Sequence, residues 1–247
     1  MSAPKKAVVI GASTGIGRAL AKTLAAAGYE VGLASRQIDL IRELQKEIPQ
    51  KTYARQLDLQ EPEKAMQITE DLIREMGGMD LMVINSGVNH YTRDFEWSKD
   101  FHTVSVNVTG FMAMANVAAR HFIPKKAGHI VGISSIAGVR GSGRAPVYCA
   151  TKAFVTNYLE GLRHEVGRYG IAVTDIKPGF VDTAMLAQRG FRLGMVSTES
   201  AAADILRVIQ ARRSAAFVPG WWALVAFILR LMPDALYCRL IRRARDW

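Results

Sequence analysis

Three polar residues in the second half of the chain have the types and spacing needed for acid–base chemistry on an oxygen atom. Tyr148 and Lys152 are four residues apart, so in a helix their side chains would share one face. A free phenol has a pKa near ~10, too high for a base at neutral pH, but a neighbouring ammonium favours the phenolate. Ser135 could donate a hydrogen bond to a substrate oxygen as negative charge develops on it. The three residues therefore predict a site that exchanges a proton with a carbonyl or alcohol oxygen.

A tyrosine followed four residues later by a lysine is common by chance, so the surrounding elements decide its meaning. Short apolar segments alternate with segments of helical periodicity. We predict strands over residues 6–10, 30–34, 52–57, 81–84, 129–133, 171–176 and 215–218. We predict helices over residues 15–27, 39–48, 62–76, 101–122, 146–169 and 198–212.

This alternation is typical of a parallel sheet covered by helices on both faces. The predicted fold class is α/β, a single-domain doubly wound parallel sheet of the Rossmann type with about seven strands. We assign it to residues 1–219, followed by a C-terminal extension over residues 220–247. In such sheets, ligands bind beyond the carboxyl ends of the strands.

A glycine-rich turn separates the first predicted strand from the first predicted helix. Gly11, Gly15 and Gly17 permit a tight turn and a close approach of the backbone to a ligand. The helix that follows offers N–H groups and its positive dipole end to a pyrophosphate. The alternative is a helix-entry loop that happens to hold three glycines, but its place after the first strand favours a dinucleotide site. The predicted site also includes Ser13, Thr14 and Ile16.

The end of the second predicted strand indicates which dinucleotide is bound. A carboxylate there would accept the ribose hydroxyls of NAD, whereas this chain has Ser35 followed by Arg36. A small hydroxyl and a guanidinium suit a 2′-phosphate, so we predict NADP. Asp39 follows in the first turn of a predicted helix, where it can favour the dipole without touching ribose. Arg36 could alternatively be an ordinary surface charge.

Two further polar segments follow predicted strands. Asp58 comes after the third strand, where it could reach an adenine or simply precede the helix near Pro62. Asn85, Ser86 and Gly87 follow the fourth strand and could let the backbone approach the nucleoside ribose. The alternative for these three residues is an ordinary polar turn.

Five segments together resemble a classical short-chain dehydrogenase/reductase, and the resemblance covers residues 5–220 of the chain. They are Gly11-Ala-Ser-Thr-Gly-Ile-Gly17, Asn85-Ser-Gly87, Ser134-Ser-Ile-Ala-Gly138, Tyr148-Cys-Ala-Thr-Lys152 and Pro178-Gly-Phe-Val-Asp-Thr183. Two positions depart from the family pattern: Ile10 replaces a common threonine, and Ser86 replaces a common alanine. Both concern support of the cofactor rather than catalysis.

The resemblance implies a role for individual residues. It assigns catalysis to Ser135, Tyr148 and Lys152, and it also places Tyr148 and Lys152 among the cofactor contacts, with Lys152 at the nicotinamide ribose. It gives Asn107 a supporting place in a water-mediated proton relay through that lysine; without the family, Asn107 is a polar residue within an apolar helix. The remaining implied cofactor contacts are Leu59, Pro178, Gly179, Val181 and Thr183, the last two beside the nicotinamide carboxamide.

Composition and charge exclude other classes of protein. With 49% hydrophobic and 22% charged residues, the 247-residue chain is neither disordered nor fibrous. Cys149 and Cys238 cannot form a disulfide framework, which fits a reducing compartment, and the scattered histidines predict no metal site. The net charge of +10 suits a phosphate-bearing cofactor or anionic lipid. Without runs of interleaved basic and aromatic residues, no nucleic-acid partner is expected.

The C-terminal extension combines apolar and basic residues. Nine apolar residues run from Trp221 to Leu229, and arginines follow at Arg239, Arg242, Arg243 and Arg245. The segment is too short to span a bilayer, for which about 20 residues are needed. It fits an amphipathic segment at an anionic membrane surface, or one that packs on the domain or on a partner subunit. Because the sequence has no signal-peptide h-region, we expect a cytoplasmic protein. If the C-terminal extension contacts a membrane, the protein is expected to be peripheral to it.

The substrate is the least determined part of the prediction. Residues 184–196 are expected to close over it and contain the apolar residues Met185, Leu186, Phe191, Leu193 and Met195, which suit a lipophilic substrate or ordinary packing. The leading hypothesis is NADP-dependent hydride transfer between nicotinamide and a carbonyl or secondary alcohol of a long-chain or steroid-like molecule. The alternatives are the reductase half of a lipid-linked sugar epimerisation and a catalytically silent dinucleotide-binding module.

By the resemblance, the helices over 101–122 and 146–169 form the interface of a homo-oligomer, a dimer or a tetramer.

Overall fold

The computed structural model describes residues 4–90, 95–183 and 194–243, and in these ranges seven parallel strands form one sheet. The strands are β1 (Lys6–Ile10), β2 (Glu30–Ser35), β3 (Thr52–Gln56), β4 (Leu81–Ile84), β5 (Gly128–Ile133), β6 (Ile171–Pro178) and β7 (Ala215–Val218). Their order in the sheet is β3-β2-β1-β4-β5-β6-β7. The order reverses at β1 and β4, and the crevice beyond the carboxyl ends of strands at such a point is where these sheets bind ligands.

Nine α-helices occur in the same described ranges. They are α1 (Gly15–Ala26), α2 (Ile38–Glu47), α3 (Pro62–Glu75), α4 (Trp97–Val104), α5 (Phe111–Phe122), α6 (Pro146–Gly167), α7 (Thr198–Gln210), α8 (Trp222–Leu231) and α9 (Asp234–Arg243). Helices α1, α2 and α7 cover one face of the sheet, and α3, α5 and α6 cover the other.

Alternate residues of the central strands enter the two separate cores. In β1, Val8 and Ile10 pack on the side of α3 and α5, whereas Ala7 and Val9 pack on the side of α1 and α7. Both faces of these strands are fully buried, which explains their continuous apolar sequence. The predicted α/β fold with a doubly wound parallel sheet is confirmed.

Residues 101–122 are helical throughout, as predicted, but part of this long helix is not α-helical. Helix α4 already starts at Trp97, and a π-helical stretch (Ser105–Gly110) separates it from α5. The wider turn lies where Asn107 hydrogen-bonds the backbone of Val88. The stretch ends at Gly110, where a Cβ would be 2.5 Å from the Cβ of Leu59. The local change from α-helix to π-helix therefore lies where this helix packs against loops that follow other strands.

The C-terminal extension forms two short helices. The apolar run becomes α8, and α9 follows after Pro233. Met232 has an extended backbone, with φ −68° and ψ 125°, as expected for the residue before a proline. Within the ranges that the structure describes, no helix has both the length and the apolarity to cross a membrane. The predicted lid residues Met185, Leu186, Phe191 and Leu193, together with Arg245, lie outside the described residues.

Candidate active site

A cavity of about 470 Å³ lies at the carboxyl edge of the sheet. Its walls include the three predicted catalytic residues Ser135, Tyr148 and Lys152. They also include all the predicted cofactor residues except Gly17, namely Gly11, Ser13, Thr14, Gly15, Ile16, Ser35, Arg36, Asp58, Leu59, Asn85, Ser86, Gly87, Tyr148, Lys152, Pro178, Gly179, Val181 and Thr183. The fold thus brings residues from widely separated segments to one cavity.

The glycine turn after β1 packs closely against the turn after β4. Gly11 has φ +86°, and a Cβ there would be 2.6 Å from Ser86 Oγ. A Cβ at Gly17 would overlap the carbonyl oxygen of Gly11, although Gly17 itself lies behind the cavity wall. Asn85 Nδ2 donates to that same carbonyl at 3.0 Å. Asn85 and Ser86 therefore support the glycine turn besides lining the cavity.

The cavity wall at the end of β2 is built from hydroxyl groups. Ser35 Oγ donates to Ser13 Oγ at 2.9 Å, and Ser13 Oγ donates to Gln37 Oε1 at 3.2 Å. Arg36 is exposed and lines the same cavity. Asp58 also lines it, while its carboxylate accepts the backbone N–H of Gln60 at 3.0 Å. Asp58 therefore lies in the turn before α3 and in the cavity wall, and its contact with adenine stays a prediction.

Lys152 places its amine deep inside this site. The residue is 5% exposed, and Nζ donates to the carbonyl oxygen of Ile133, at the end of β5, at 2.9 Å. Burial lowers the pKa of Lys152 to about 8, although the negative charge of Asp175 acts in the opposite direction. A pKa of about 8 leaves the lysine mostly protonated at neutral pH.

Tyr148 lies one helical turn before Lys152 on α6, and both residues line the cavity. The Nζ atom of Lys152 is 5.8 Å from the centroid of the tyrosine ring. Tyr148 is half-buried. A positive charge at this distance favours the phenolate form of the tyrosine.

The two consecutive serines after β5 have different environments. Ser134 is 2% exposed, and its single O–H proton is shared between the carboxylate of Asp175 and the carbonyl oxygen of Ile176. Ser135 accepts the N–H of Ala137 at 3.1 Å and thereby caps the 3₁₀ turn (Ile136–Gly138). Because Ser135 uses its hydroxyl as an acceptor in this bond, its O–H can still donate to a substrate oxygen.

Asn107 does not line the cavity. Its Oδ1 accepts the N–H of Val88 at 2.8 Å, and its Nδ2 donates to the carbonyl oxygen of Val88 and to Thr151 Oγ1. The side chain thus joins the segment after β4 to α6, at the residue preceding Lys152. Its part in a proton relay remains a prediction.

The far end of the cavity contains residues that the sequence did not assign to the site. They are Arg140, from the loop between Ser135 and Tyr148, and Trp222, Leu229 and Tyr237, from the C-terminal extension. The apolar run of the extension was visible in the sequence, but nothing in it indicated that one face would close this cavity. No sequence pattern indicated that Arg140 lines the cavity, because its hydrogen-bond partners are distant in sequence.

The chain belongs to the short-chain dehydrogenase family, because residues 5–192 match the family described as short chain dehydrogenase. An uncharacterized oxidoreductase of Myxococcus xanthus is 30% identical over 248 aligned residues, which cover 98% of each chain. The predicted family is confirmed, and the chain is a nicotinamide-dependent oxidoreductase of that family.

Solved structures share the fold. A short-chain type dehydrogenase/reductase from Mycobacterium marinum matches with a TM-score of 0.82 and 25% identity, over 88% of this chain and 95% of that one. A 3-ketoacyl-(acyl-carrier-protein) reductase from Brucella melitensis, in complex with NADH, matches with a TM-score of 0.78 and 23% identity, over 87% of this chain and 96% of that one. The second likeness, at its lower identity, shows the fold alone.

The residues present fit a nicotinamide dinucleotide. Gly11, Ser13, Thr14 and Gly15 line the cavity immediately before and at the start of α1. Within the described residues, α1 has no side-chain cap and no acidic residue in its first turn. Its N–H groups and positive dipole end are therefore left for a pyrophosphate, which Thr14, Gly15 and Ile16 would hold.

Replacing Gly17 with alanine should abolish cofactor binding, because the added methyl group would overlap the Gly11 carbonyl oxygen. Gly161→Ala in α6 is the matched control, since a Cβ there meets nothing within 4 Å in the protomer. Alanine in that helix should stabilise the protein by about 0.5–1 kcal/mol. Titration with reduced cofactor and thermal unfolding measure both effects. Normal cofactor binding by Gly17→Ala would contradict the turn geometry.

The stability of the cofactor-free protein should rise with pH because of Lys152. The pKa of its side chain is about 8 in the folded protein and 10.5 ordinarily, so between these values the folded state binds fewer protons than the unfolded chain. The free energy of unfolding should gain on the order of 3 kcal/mol over this range relative to Lys152→Met. Urea unfolding at several pH values measures it, and parallel curves for the two proteins would refute the effect.

Proposed function

We propose that this chain is an NADP-dependent reductase of carbonyl groups, or a dehydrogenase of the corresponding secondary alcohols, acting on lipophilic molecules. The observation that carries the proposal is the single cavity shared by the glycine turn of α1 and by Ser135, Tyr148 and Lys152. Such a site needs a bound nicotinamide and a proton donor side by side, and these residues supply the places for both.

Tyr148 is the residue that transfers the proton. The bound nicotinamide supplies the hydride that reduces a carbonyl carbon or takes one from an alcohol. Tyr148 donates its phenolic proton to the carbonyl oxygen during reduction and accepts the proton during oxidation. Lys152 lowers the cost of the resulting phenolate because its ammonium lies near the ring. Ser135 donates a hydrogen bond that holds the substrate oxygen and stabilises negative charge on it.

The preference for NADP is supported by the end of β2. Ser35 and Ser13 place hydroxyls where NAD-dependent proteins of this fold have a carboxylate, and such a carboxylate would repel a 2′-phosphate. Arg36 lines the same part of the cavity, and its planar guanidinium matches a phosphate with two parallel hydrogen bonds.

A lipophilic substrate is supported by the far wall of the cavity. Trp222, Leu229 and Tyr237 line it from the extension, and Phe180 and Ala145 line it from the domain. Apolar and aromatic walls with a few polar groups are typical of sites that bury hydrophobic ligands. The reacting oxygen would point to Tyr148 and Ser135, and the apolar part of the molecule would lie along the extension.

We further propose a homo-oligomer formed through the helices over residues 101–122 and 146–169, and the exposed side of α4 supports the first of them. Large apolar side chains are exposed on the outer side of α4, with Trp97 at 76% and Phe101 at 57%. Their rings pack on each other with centroids 5.8 Å apart. Exposed apolar patches of this kind are typical of subunit interfaces.

Tyr148→Phe should lower kcat by about 10²–10⁴-fold, because the variant lacks the proton donor. The affinity for NADPH should stay within about twofold, since the ring is kept. Tyr158→Phe, on the same helix and also half-buried, is the matched control and should keep full activity. Oxidation of NADPH with a panel of long-chain and steroid-like ketones measures turnover. Tight NADPH binding without turnover of any carbonyl by the native protein would favour the catalytically silent module instead.

Arg36→Gln should lower kcat/KM with NADPH by roughly 10–100-fold. The variant loses a hydrogen bond to a charged phosphate, and such a bond contributes about 1.5–3 kcal/mol. Use of NADH should change little, since it lacks the 2′-phosphate. Arg42→Ala, which removes another exposed arginine on α2, serves as the control. Equal effects of Arg36→Gln on both cofactors would contradict the proposed NADP preference.

A further inference from the structure

The C-terminal extension presents an exposed apolar surface, here called the outer face. Its residues are Trp221, Leu224, Phe227, Ile228 and Leu231 in and just before α8, and Leu236 and Leu240 in α9. Leu224, Phe227 and Leu231 are 66%, 60% and 67% exposed. Their spacing of three and four residues places them on one side of α8. No element in the described part of the chain covers this surface.

The opposite side of α8 packs on the catalytic domain. Trp222 and Ala226 are buried, and Leu229 lines the cavity. The indole of Trp222 lies directly on Gly179, where any side chain would overlap the ring, and forms a T-shaped contact with Phe180 at 5.0 Å between centroids. One side of α8 is therefore apolar and faces the cavity, and the opposite side of α8 is apolar and faces the exterior.

Arg140 fixes the extension to the domain. Its guanidinium donates to the carbonyl oxygens of Leu229 at 3.0 Å and Met232 at 2.9 Å, and it forms an ion pair with Asp234. It also lies 4.4 Å from the ring centroid of Tyr237, whose hydroxyl donates to the carbonyl oxygen of Gly141 at 2.7 Å. The outer face is therefore held in one orientation relative to the loop between Ser135 and Tyr148.

The charge around the outer face is positive. Arg230 and Arg239 are exposed beside it, and the sequence adds Arg242, Arg243 and Arg245. Asp234 is already paired with Arg140. Two copies of this segment meeting face to face would bring arginines together, whereas anionic lipid headgroups would neutralise them.

We propose that the outer face binds the surface of an anionic membrane, with its apolar side chains among the acyl chains and its arginines at the headgroups. The helices are too short to cross the bilayer, so the contact is peripheral. Because the inner side of α8 lines the cavity, binding would hold the far end of the cavity at the bilayer. Given the proposed function, a lipophilic carbonyl compound could then enter along Leu229 and Tyr237 without crossing water.

The full-length protein should sediment with vesicles that contain phosphatidylglycerol, less with vesicles of pure phosphatidylcholine, and less again at high salt. The double variant Leu224→Glu, Phe227→Glu should bind phosphatidylglycerol vesicles at least about tenfold more weakly, because two apolar anchors become charged. Both side chains are exposed and outside the cavity, so turnover of a short water-soluble ketone and the thermal midpoint should not change. The double variant Gln67→Glu, Gln210→Glu, which adds two acidic residues at exposed positions on α3 and α7, should keep vesicle binding.

Absence of vesicle binding by the native protein would overturn the proposal. It would also be overturned if the double variant kept its vesicle binding but lost mass in light scattering, because a second copy would then cover the outer face. If the vesicle results are as expected but no ketone is reduced, the membrane contact stands and the proposed function fails.

Discussion

The ammonium group of Lys152 is buried, where a charge is unfavourable, and the chemistry of the site depends on how the fold stabilises that charge. Its ammonium has a carbonyl oxygen from the end of β5 as partner, and burial lowers its pKa to about 8. A lower pKa would leave the lysine neutral and remove its effect on Tyr148. With a pKa of about 8 the buried lysine is still mostly protonated at neutral pH, so its charge can act on the neighbouring tyrosine.

The parallel sheet explains why so many separate segments reach the same cavity. Ile10 of β1 is in register with Ala34 of β2 and with Ile84 of β4. Ile84 is in turn in register with Gly132 of β5. All these strands end at one edge, so the residues that follow them in sequence become neighbours in space. The glycine turn, the hydroxyls after β2, the polar turn after β4 and the serines after β5 are brought together in this way.

Several parts of the site depend on contacts between distant segments and could not be predicted. Ser134 and Ser135 are identical in type, and their roles differ because Asp175 of the neighbouring strand takes the first hydroxyl. Asn107 lies in a π-helical stretch of its helix, where its amide hydrogen-bonds the backbone of Val88. Arg140 fixes the C-terminal extension through carbonyl groups about ninety residues away. Local periodicity contains no information on such partners.

The sequence by itself determined the alternating elements, the class of sheet, the cofactor turn and the tyrosine–lysine pair, because each rests on spacing within one or two neighbouring elements. Only the tertiary structure decided which serine keeps a hydroxyl proton for a substrate oxygen, how the lysine is buried, and which side of the C-terminal helix closes the site. Those outcomes depend on burial and on hydrogen-bond partners, which exist only once strands far apart in sequence lie side by side.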